Sequence, residues 1–186
     1  MNIFVLSECP VDSAVQQCDK HVVKMIVESA QMLSTAHRMV DGKQTTVLSS
    51  SGRRIKMWKL DDPYLDNLLY KSVHTGHPST VWTTESDQNY QWHYRHFVAL
   101  CDEYEYRYGK VHSTRTKLEE ALAQTPTNIK RTESITPFKL AMQQFPACIV
   151  EGDAVQSYRN FYQTKQDRFN MAWTKRPIPS WFEVRV

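Results

Sequence analysis

Glycine is scarce in this chain, which has only 5 glycines among 186 residues. A β-sandwich or barrel with many tight turns needs more, so the composition favours helices. Hydrophobic residues make up 41% and charged residues 23%, a balance typical of globular proteins and unlike that of disordered chains. A chain of this length is expected to form a single domain, residues 1–186, with a core that needs no disulfide or structural metal.

The sequence also lacks the marks of secreted, metal-binding and membrane proteins. Its four cysteines are far apart and form no CxxC pair, which argues against a disulfide framework or a zinc site. No stretch approaches the roughly 20 apolar residues of a membrane span. The N-terminal run MNIFVLSECP has no basic start like that of a signal peptide. We therefore predict a cytoplasmic protein without a membrane partner.

Helix caps and breakers predict a mainly α fold: a compact helical bundle around a central buried helix at about 20–40, with a short N-terminal extended arm or strand at 3–6. Asp19 is the predicted N-cap of the central helix, and Asp41-Gly42 ends it. The remaining predicted helices lie at about 12–17, 63–73, 85–108, 114–123 and 154–173. Residues 43–56 are expected to form a loop or weak hairpin.

The predicted central helix carries an unusual polar stripe. At about 100° per residue, six polar residues fall within roughly one third of its circumference, and apolar residues cover most of the rest. These six are His21, Lys24, Glu28, Gln31, Thr35 and Arg38. So broad an apolar surface predicts a helix surrounded by protein, with its stripe facing a cleft or a polar interior network. A structural ion pair, or the solvated side of a surface helix, is the alternative.

The stripe contains the candidate catalytic residues Glu28, His21 and Lys24. Burying Lys24 and Glu28 costs several kcal/mol per ion unless partners compensate, and perturbed ionisable groups concentrate at active sites. Glu28 is the candidate general acid or base. His21 is expected to be a neutral imidazole because the dipole at the helix N-terminus disfavours its charged form. Lys24 and Arg38 are expected to hold an anion.

Other predicted substrate contacts combine aromatic and cationic side chains. Aromatic rings stack on bases while cations hold phosphates, so this mixture favours nucleic-acid binding. The predicted substrate- or DNA-binding residues are Asp19, Gln31, Arg38, His77, Asn89, Arg107, Lys110, Tyr158, Arg159, Lys165, Arg176 and Trp181. For the cations at the end of the 85–108 helix, compensation of the helix dipole is an alternative. For the C-terminal residues, the alternative is a tail that its tryptophans fasten to the core.

Four histidines raise the question of a metal. His74 and His77 flank a turn, and His93 and His96 lie one helical turn apart. No carboxylate or cysteine accompanies them at a diagnostic spacing. We therefore predict no metal and no other cofactor, with metal binding as the minority alternative.

Two long motifs resemble a family of small phage and bacterial proteins without an assigned activity. They are MNIFV at 1–5 and CDKHVVKMIVESAQML at 18–33. The resemblance covers nearly the whole chain and continues at His77-Pro78, Trp82, Asn89-Tyr90, Glu103-Tyr104, 107–110 (RYGK), Tyr158-Arg159 and 176–181 (RPIPSW). If the protein is phage-encoded, its predicted location is the host cytoplasm.

A fainter resemblance is to the pyrimidine-dimer DNA glycosylases of the endonuclease V type. Asp19-Lys20-His21 followed by Glu28 has the family's spacing, and Gly76-His77 and the aromatic-basic C-terminus are similar too. The resemblance implies that Glu28 is the catalytic carboxylate and that His21 contacts DNA. The family attacks the sugar with the α-amine of an N-terminal Thr, whereas this chain begins Met1-Asn2. Excision by an activated water, or chemistry on a free nucleotide, suits this difference better than an amine-dependent lyase step.

Three functional hypotheses follow from the sequence. The first is a DNA base-processing enzyme, a hydrolase that cleaves an N-glycosidic bond as DNA glycosylases do. The second is an enzyme that binds a free nucleotide or another small phosphorylated substrate. The third is a non-catalytic phage protein that binds or sequesters its target.

Overall fold

The computed structural model describes residues 1–185 and is mainly helical, as predicted. Its helices are α1 (Pro10–Val15), α2 (Asp19–Asp41), α3 (Pro63–Leu68), α4 (Pro78–Glu85), α5 (Asp87–Tyr108), α6 (Ser113–Leu122) and α7 (Ala154–Gln163). Strands β1 (Lys43–Leu48) and β2 (Arg54–Lys59) form an antiparallel hairpin. Across this described part, none of the helices combines the length and hydrophobicity that a membrane crossing requires.

Helix α2 has nearly its predicted bounds, but its N-terminus is built differently. Cys18 is the N-cap and makes no side-chain cap hydrogen bond. Asp19 is instead the first helical residue, and its carboxylate accepts hydrogen bonds from the backbone and hydroxyl of Thr174. The predicted stop at Gly42 is confirmed: a Cβ there would lie 2.4 Å from the carbonyl oxygen of Arg38. Only glycine fits this close approach.

The surroundings of α2 change along its length. It packs against α4, α5 and α6, and it also contacts both strands of the hairpin. All seven residues from 32 to 38 are buried, so this stretch is enclosed on every side. In the N-terminal half, Val23 and Lys24 are exposed. The prediction of a fully surrounded helix therefore holds for the C-terminal half only.

The predicted helix at 85–108 is preceded by a helix that the sequence analysis missed. Ser86 caps α5 by accepting a hydrogen bond from the Asn89 N–H. Helix α4 starts at Pro78, which suits the first helical position because it lacks an N–H. The end of α5 is as predicted, with Gly109 in the left-handed region at φ 65°.

Several other boundaries also differ from prediction. Helix α1 begins at Pro10, and α3 ends at Leu68 rather than near 73. Helix α7 ends at Gln163 rather than near 173, and a 3₁₀ turn continues to Asp167. Residues 3–6 form no strand; they are an extended, fully buried arm. This arm crosses the N-terminal half of α2 and positions the candidate site.

Candidate functional site

A cleft of about 500 Å³ lies beside the N-terminal half of α2. Its walls come from the N-terminal arm, the start of α4, residues 141–145, and the end of α7 with the 3₁₀ turn after it. Of the predicted site residues, the cleft is lined by His21, Lys24, Glu28, His77 and Lys165. Together with α2, five chain segments that are distant in sequence thus meet at one opening.

Glu28 lies in this cleft between two amino groups. Its Oε1 lies 3.3 Å from Nζ of Lys24, and its Oε2 lies 3.5 Å from the α-amino nitrogen of Met1. Oε2 also accepts a hydrogen bond from the backbone N–H of Asn2, at 3.1 Å. The Glu28 side chain is 13% exposed, whereas that of Lys24 is 65% exposed. The predicted recessed position therefore holds for Glu28, while Lys24 lies at the rim.

His21 lines the cleft with a defined tautomer. Its Nδ1 lies 2.7 Å from the hydroxyl of Tyr162, and that hydroxyl accepts the backbone N–H of Cys18 at 2.9 Å. Nδ1 is the hydrogen-bond acceptor that faces the Tyr162 hydroxyl within residues 1–185, so we assign the hydroxyl proton to this contact and the imidazole proton to Nε2. Within residues 1–185, Nε2 has no hydrogen-bond partner, so it is free to bind a ligand in the cleft.

His21 is neutral, but for a different reason than predicted. Burial, followed by repulsion from Lys165 and Lys24, lowers its pKa from 6.5 to about 3. The low-dielectric surroundings disfavour the imidazolium more than any charge does. The protonation state thus agrees with the sequence analysis, whereas the assigned cause, the helix dipole, is replaced by desolvation.

Phe4 supports His21 from the N-terminal arm. The two rings stack with centroids 4.6 Å apart. The backbone of Phe4 has φ 55°, a left-handed conformation that a bulky residue rarely adopts. Hydrogen bonds to Asn2 Oδ1 and from the Ser13 hydroxyl hold it there. Strain of this kind costs on the order of 1–3 kcal/mol and is concentrated at functional sites.

Lys165 presents a second ammonium group to the cleft. The residue is 7% exposed, and its Nζ lies 3.5 Å from the centroid of the Phe161 ring. Within the described chain, Nζ has no hydrogen-bond or ion-pair partner. Burial, then repulsion from Arg168, lowers the pKa of Lys165 to about 8. An ammonium without an anion beside it is suited to an anionic ligand.

His77 joins α4 to the cleft. Its Nδ1 accepts the backbone N–H of Ser79 at 3.2 Å and so caps the helix. The pKa of His77 is lowered mainly by burial, and next by the positive α-amino group of Met1. The imidazole of His77 therefore lies near the ion pair between Glu28 and the α-amino group of Met1.

The structure removes Arg38 from the predicted anion site. Its guanidinium is fully buried and pairs with the carboxylate of Asp66. Its nitrogens also donate to four carbonyl oxygens, those of Trp58, Asp66, Leu69 and Tyr70. Every donor direction is used inside the protein, so Arg38 holds residues 58–70 against α2 and has no capacity left for a phosphate.

Asp19, Arg107 and Arg176 likewise form ion pairs inside the protein. Arg107 is buried and pairs with Glu103 and Asp19. Arg176 pairs with the same Glu103 and stacks on the Tyr106 ring, 4.3 Å from its centroid. This network fastens the C-terminal segment to α5. It corresponds to the structural alternative for these residues rather than to the predicted DNA contact.

Four other residues predicted to contact DNA form hydrogen bonds within the protein. The amide of Asn89 donates to Trp82 and Thr136. The Tyr158 hydroxyl donates to the carbonyl of Lys139, Arg159 donates to the carbonyl of Leu6, and Trp181 donates to Gln16. Neither Gln31 nor Lys110 lines the cleft. The cleft therefore includes none of these six residues, and their contact with DNA stays a prediction.

The remaining histidines do not assemble a metal site. His93 and His96 are fully buried, and they contact the Thr83 hydroxyl and the Gln17 side chain respectively. Among residues 1–185, no group of three or more His, Cys, Asp or Glu side chains is placed to hold a metal ion.

Of the 18 residues that line the cleft, 13 were not among the predicted site residues. Asn2, Phe4, Arg168 and the segment 141–145 line it but were not among the predicted site residues. The one available signal was the MNIFV motif, because an apolar arm next to polar residues could have been placed against the stripe of α2. Nothing in residues 141–145 indicated a cleft wall.

No protein family model, curated protein or solved structure shows a match to this chain. The functional argument therefore rests on the geometry of the cleft.

Proposed function

We propose that this protein is a DNA base-processing enzyme that cleaves an N-glycosidic bond, with Glu28 as the catalytic carboxylate. The observation that carries the proposal is the position of Glu28, slightly exposed in a cleft that has two amino groups beside it. The cleft volume of about 500 Å³ is in the range of small-ligand pockets, which admits one nucleotide.

The proposed reaction is hydrolysis at the sugar C1′. A water oxygen bonds to C1′, the bond from C1′ to the base nitrogen breaks, and the base leaves with the electron pair. Glu28 accepts the proton of the water and faces the positive charge that develops on the sugar. His21 donates a hydrogen bond from Nε2 to the departing base, because its Nδ1 is occupied by Tyr162.

The rest of the cleft suits an extruded nucleotide. Lys24, Lys165 and Arg168 are the cations placed to contact phosphates. An apolar wall for the flipped base comes from Phe4, Phe145, Phe161 and Phe169. Enzymes that act on a base inside a duplex take it out of the stack into such a pocket.

Sodium borohydride separates attack by water from attack by an amine. The Met1 α-amine lies 3.5 Å from Glu28, and the amines of Lys24 and Lys165 line the same cleft. Attack by water forms no covalent intermediate, so borohydride should trap no protein-DNA adduct. A trapped adduct would instead assign the nucleophile to one of these amines.

A second candidate function is hydrolysis of a free nucleotide. The observation in its favour is that Arg107, Arg176 and Tyr158 make internal contacts. These residues therefore do not extend the cleft into a surface that binds the DNA backbone. A pocket of this size and charge can hold a single phosphorylated nucleoside without a polymer.

Product analysis tests the proposal against both alternatives. The protein is incubated with 24-base-pair duplexes that carry damaged or modified bases, and separately with free nucleotides, and released bases are identified by mass spectrometry. We expect a free base from at least one duplex. Release from nucleotides alone would support the second candidate. Tight binding without any release would support the third hypothesis, a non-catalytic protein that sequesters its target.

A further inference from the structure

The β1–β2 hairpin is an exposed and strongly basic ribbon. The register pairs Lys43 with Lys59 and Thr46 with Lys56, and most side chains of both strands are exposed. Residues 43–60 contain five cations and no carboxylate, namely Lys43, Arg53, Arg54, Lys56 and Lys59. The whole chain has a net charge of only +3, so the rest of the molecule is net negative.

Little inside the protein neutralises this charge. Lys43 pairs with Asp61, but the other four cations have no side-chain hydrogen bond or ion pair within residues 1–185. Lys43 and Lys59 are also directly opposite each other, an arrangement of like charges that destabilises a sheet. An anionic partner would reduce the repulsion between these positive charges, so the hairpin is electrostatically complementary to an anion.

The hairpin follows directly from the C-terminus of α2, the helix that carries Glu28. Gly42 follows Glu28 by 14 residues, which places it about 21 Å along the helix axis at about 1.5 Å per residue. At about 100° per residue, the two positions differ by only about 40° around the axis. One base pair spans about 3.4 Å of duplex, so the base of the hairpin lies about six base pairs from Glu28 along the helix axis, and Arg53 and Arg54 lie at the other end of the hairpin.

We propose that the hairpin is a second DNA-contacting element, which binds the phosphate backbone of the duplex whose base is held in the cleft. The choice of duplex DNA as partner rests on the proposed function. The contact is electrostatic and independent of sequence, because Arg53, Arg54 and Lys56 can reach phosphates without reading bases.

Charge-neutral variants test this contact. The triple variant Arg53→Gln, Arg54→Gln, Lys56→Gln is compared with a control triple of exposed cations elsewhere, Arg95→Gln, Lys130→Gln, Arg131→Gln. Affinity for an unmodified 24-base-pair duplex is measured between about 50 and 200 mM salt. For the hairpin variant we expect roughly 10- to 100-fold weaker binding and a salt dependence of log K shallower by about 2–3, with little change in the control.

The outcomes separate this proposal from the enzymatic one. If the hairpin variant binds as tightly as the wild type, or no more weakly than the control triple, the hairpin contact is contradicted even when base release is observed. If the hairpin variant loses DNA affinity but the wild type releases no base, the hairpin contact holds and the glycosidic function falls. If the triple variant melts at a lower temperature than the wild type, the single variant Arg54→Gln replaces it in the same measurement. We expect Arg54→Gln to bind the duplex severalfold more weakly than the wild type. Unchanged affinity of this variant would overturn the proposal.

Discussion

The Tyr162 hydroxyl lies 2.7 Å from Nδ1 of His21 while it accepts the backbone N–H of Cys18. This pair of contacts is the basis for assigning the imidazole proton to Nε2. It connects α7 to the start of α2 and leaves Nε2–H of His21 free for a ligand. A single hydroxyl therefore links the local fold to the proposed chemistry.

Replacing Tyr162 with Phe is expected to lower both stability and activity. The Cys18 N–H loses its partner, which costs about 1–3 kcal/mol in the free energy of unfolding. His21 loses its fixed tautomer, so base release is expected to fall roughly tenfold or more. Nitrogen-15 NMR of the imidazole should show a mixture of Nδ1–H and Nε2–H forms in place of a single Nε2–H form.

Tyr90→Phe is the matched control. The Tyr90 hydroxyl also pairs with a buried imidazole, that of His37, at 2.8 Å, and it donates to the Leu122 carbonyl. This pair lies outside the cleft. A comparable stability loss with unchanged turnover is expected, and a similar loss of turnover in both variants would contradict the role given to Tyr162.

Lys165→Met is expected to stabilise the protein and weaken substrate binding. The pKa of Lys165 is lowered to about 8 in the folded state, below the ordinary 10.5 of the unfolded chain. The cost of burying the ammonium is therefore fully present below pH 8 and disappears as the pH rises to 10.5. Chemical denaturation at pH 7 should show a gain of about 1–3 kcal/mol, shrinking at higher pH.

The Lys165 ammonium lowers the stability of the protein, but it should raise the affinity for an anionic substrate. We expect Lys165→Met to bind DNA roughly tenfold more weakly, and wild-type affinity to fall as the pH rises through about 8. Lys20→Met is the control, since its Nζ also lies over a phenylalanine ring, that of Phe169, but Lys20 is exposed and does not line the cleft. Equal weakening by both changes would contradict a specific anion contact at Lys165.

Buried neutral histidines make the protein sensitive to acid. Burial lowers the pKa to about 3 for His21 and His96 and to about 4 for His37. The unfolded chain then binds more protons below pH 6.5, so stability is lost as the pH falls from 6.5 toward these values. Burial also lowers the pKa of His93 well below its ordinary value, so four such groups give a slope of up to about 5 kcal/mol per pH unit.

Denaturant titrations from pH 7 to 5 measure this slope. The variant His37→Gln should reduce it by about one quarter, because glutamine does not bind the proton. A free energy of unfolding that stays constant between pH 7 and 5 would contradict the neutral, buried state of these imidazoles.

The internal role of Arg38 gives a prediction that distinguishes structure from catalysis. Arg38→Gln leaves Asp66 unpaired and several carbonyls unsatisfied, which is expected to cost about 3–5 kcal/mol of stability. Turnover per folded molecule and KM should be unchanged below the melting transition. A raised KM in the folded variant would restore Arg38 to the phosphate site.

The sequence predicted those features that depend on local chain chemistry. The bounds of α2 follow from its periodicity and from Gly42, and the polar stripe identified Glu28 and His21 before any contact was known. Helix α4 was missed because His77 is not a common cap. The end of α7 was misplaced because the change from α-helix to 3₁₀ turn depends on packing.

Contacts between distant segments could not be predicted. Glu28 receives the N–H of Asn2 from 26 residues away; the MNIFV motif indicates a buried arm, but it does not indicate which residue of α2 the arm contacts. The same limit explains the predicted phosphate contacts of Arg38, Arg107 and Arg176. A sequence gives the charge of a guanidinium, but whether it faces water or internal carboxylates and carbonyls is decided by tertiary structure.

Glu28→Gln tests the central claim most directly. Glutamine keeps the size of the side chain and its capacity to accept the Asn2 N–H, but it cannot take a proton from water. Base release and DNA affinity are measured on the same 24-base-pair duplex, with circular dichroism to verify folding. The expected result is loss of base release by at least about 100-fold with DNA affinity within a few-fold of wild type. Undiminished base release by the folded variant would contradict the assignment of Glu28 as the catalytic carboxylate.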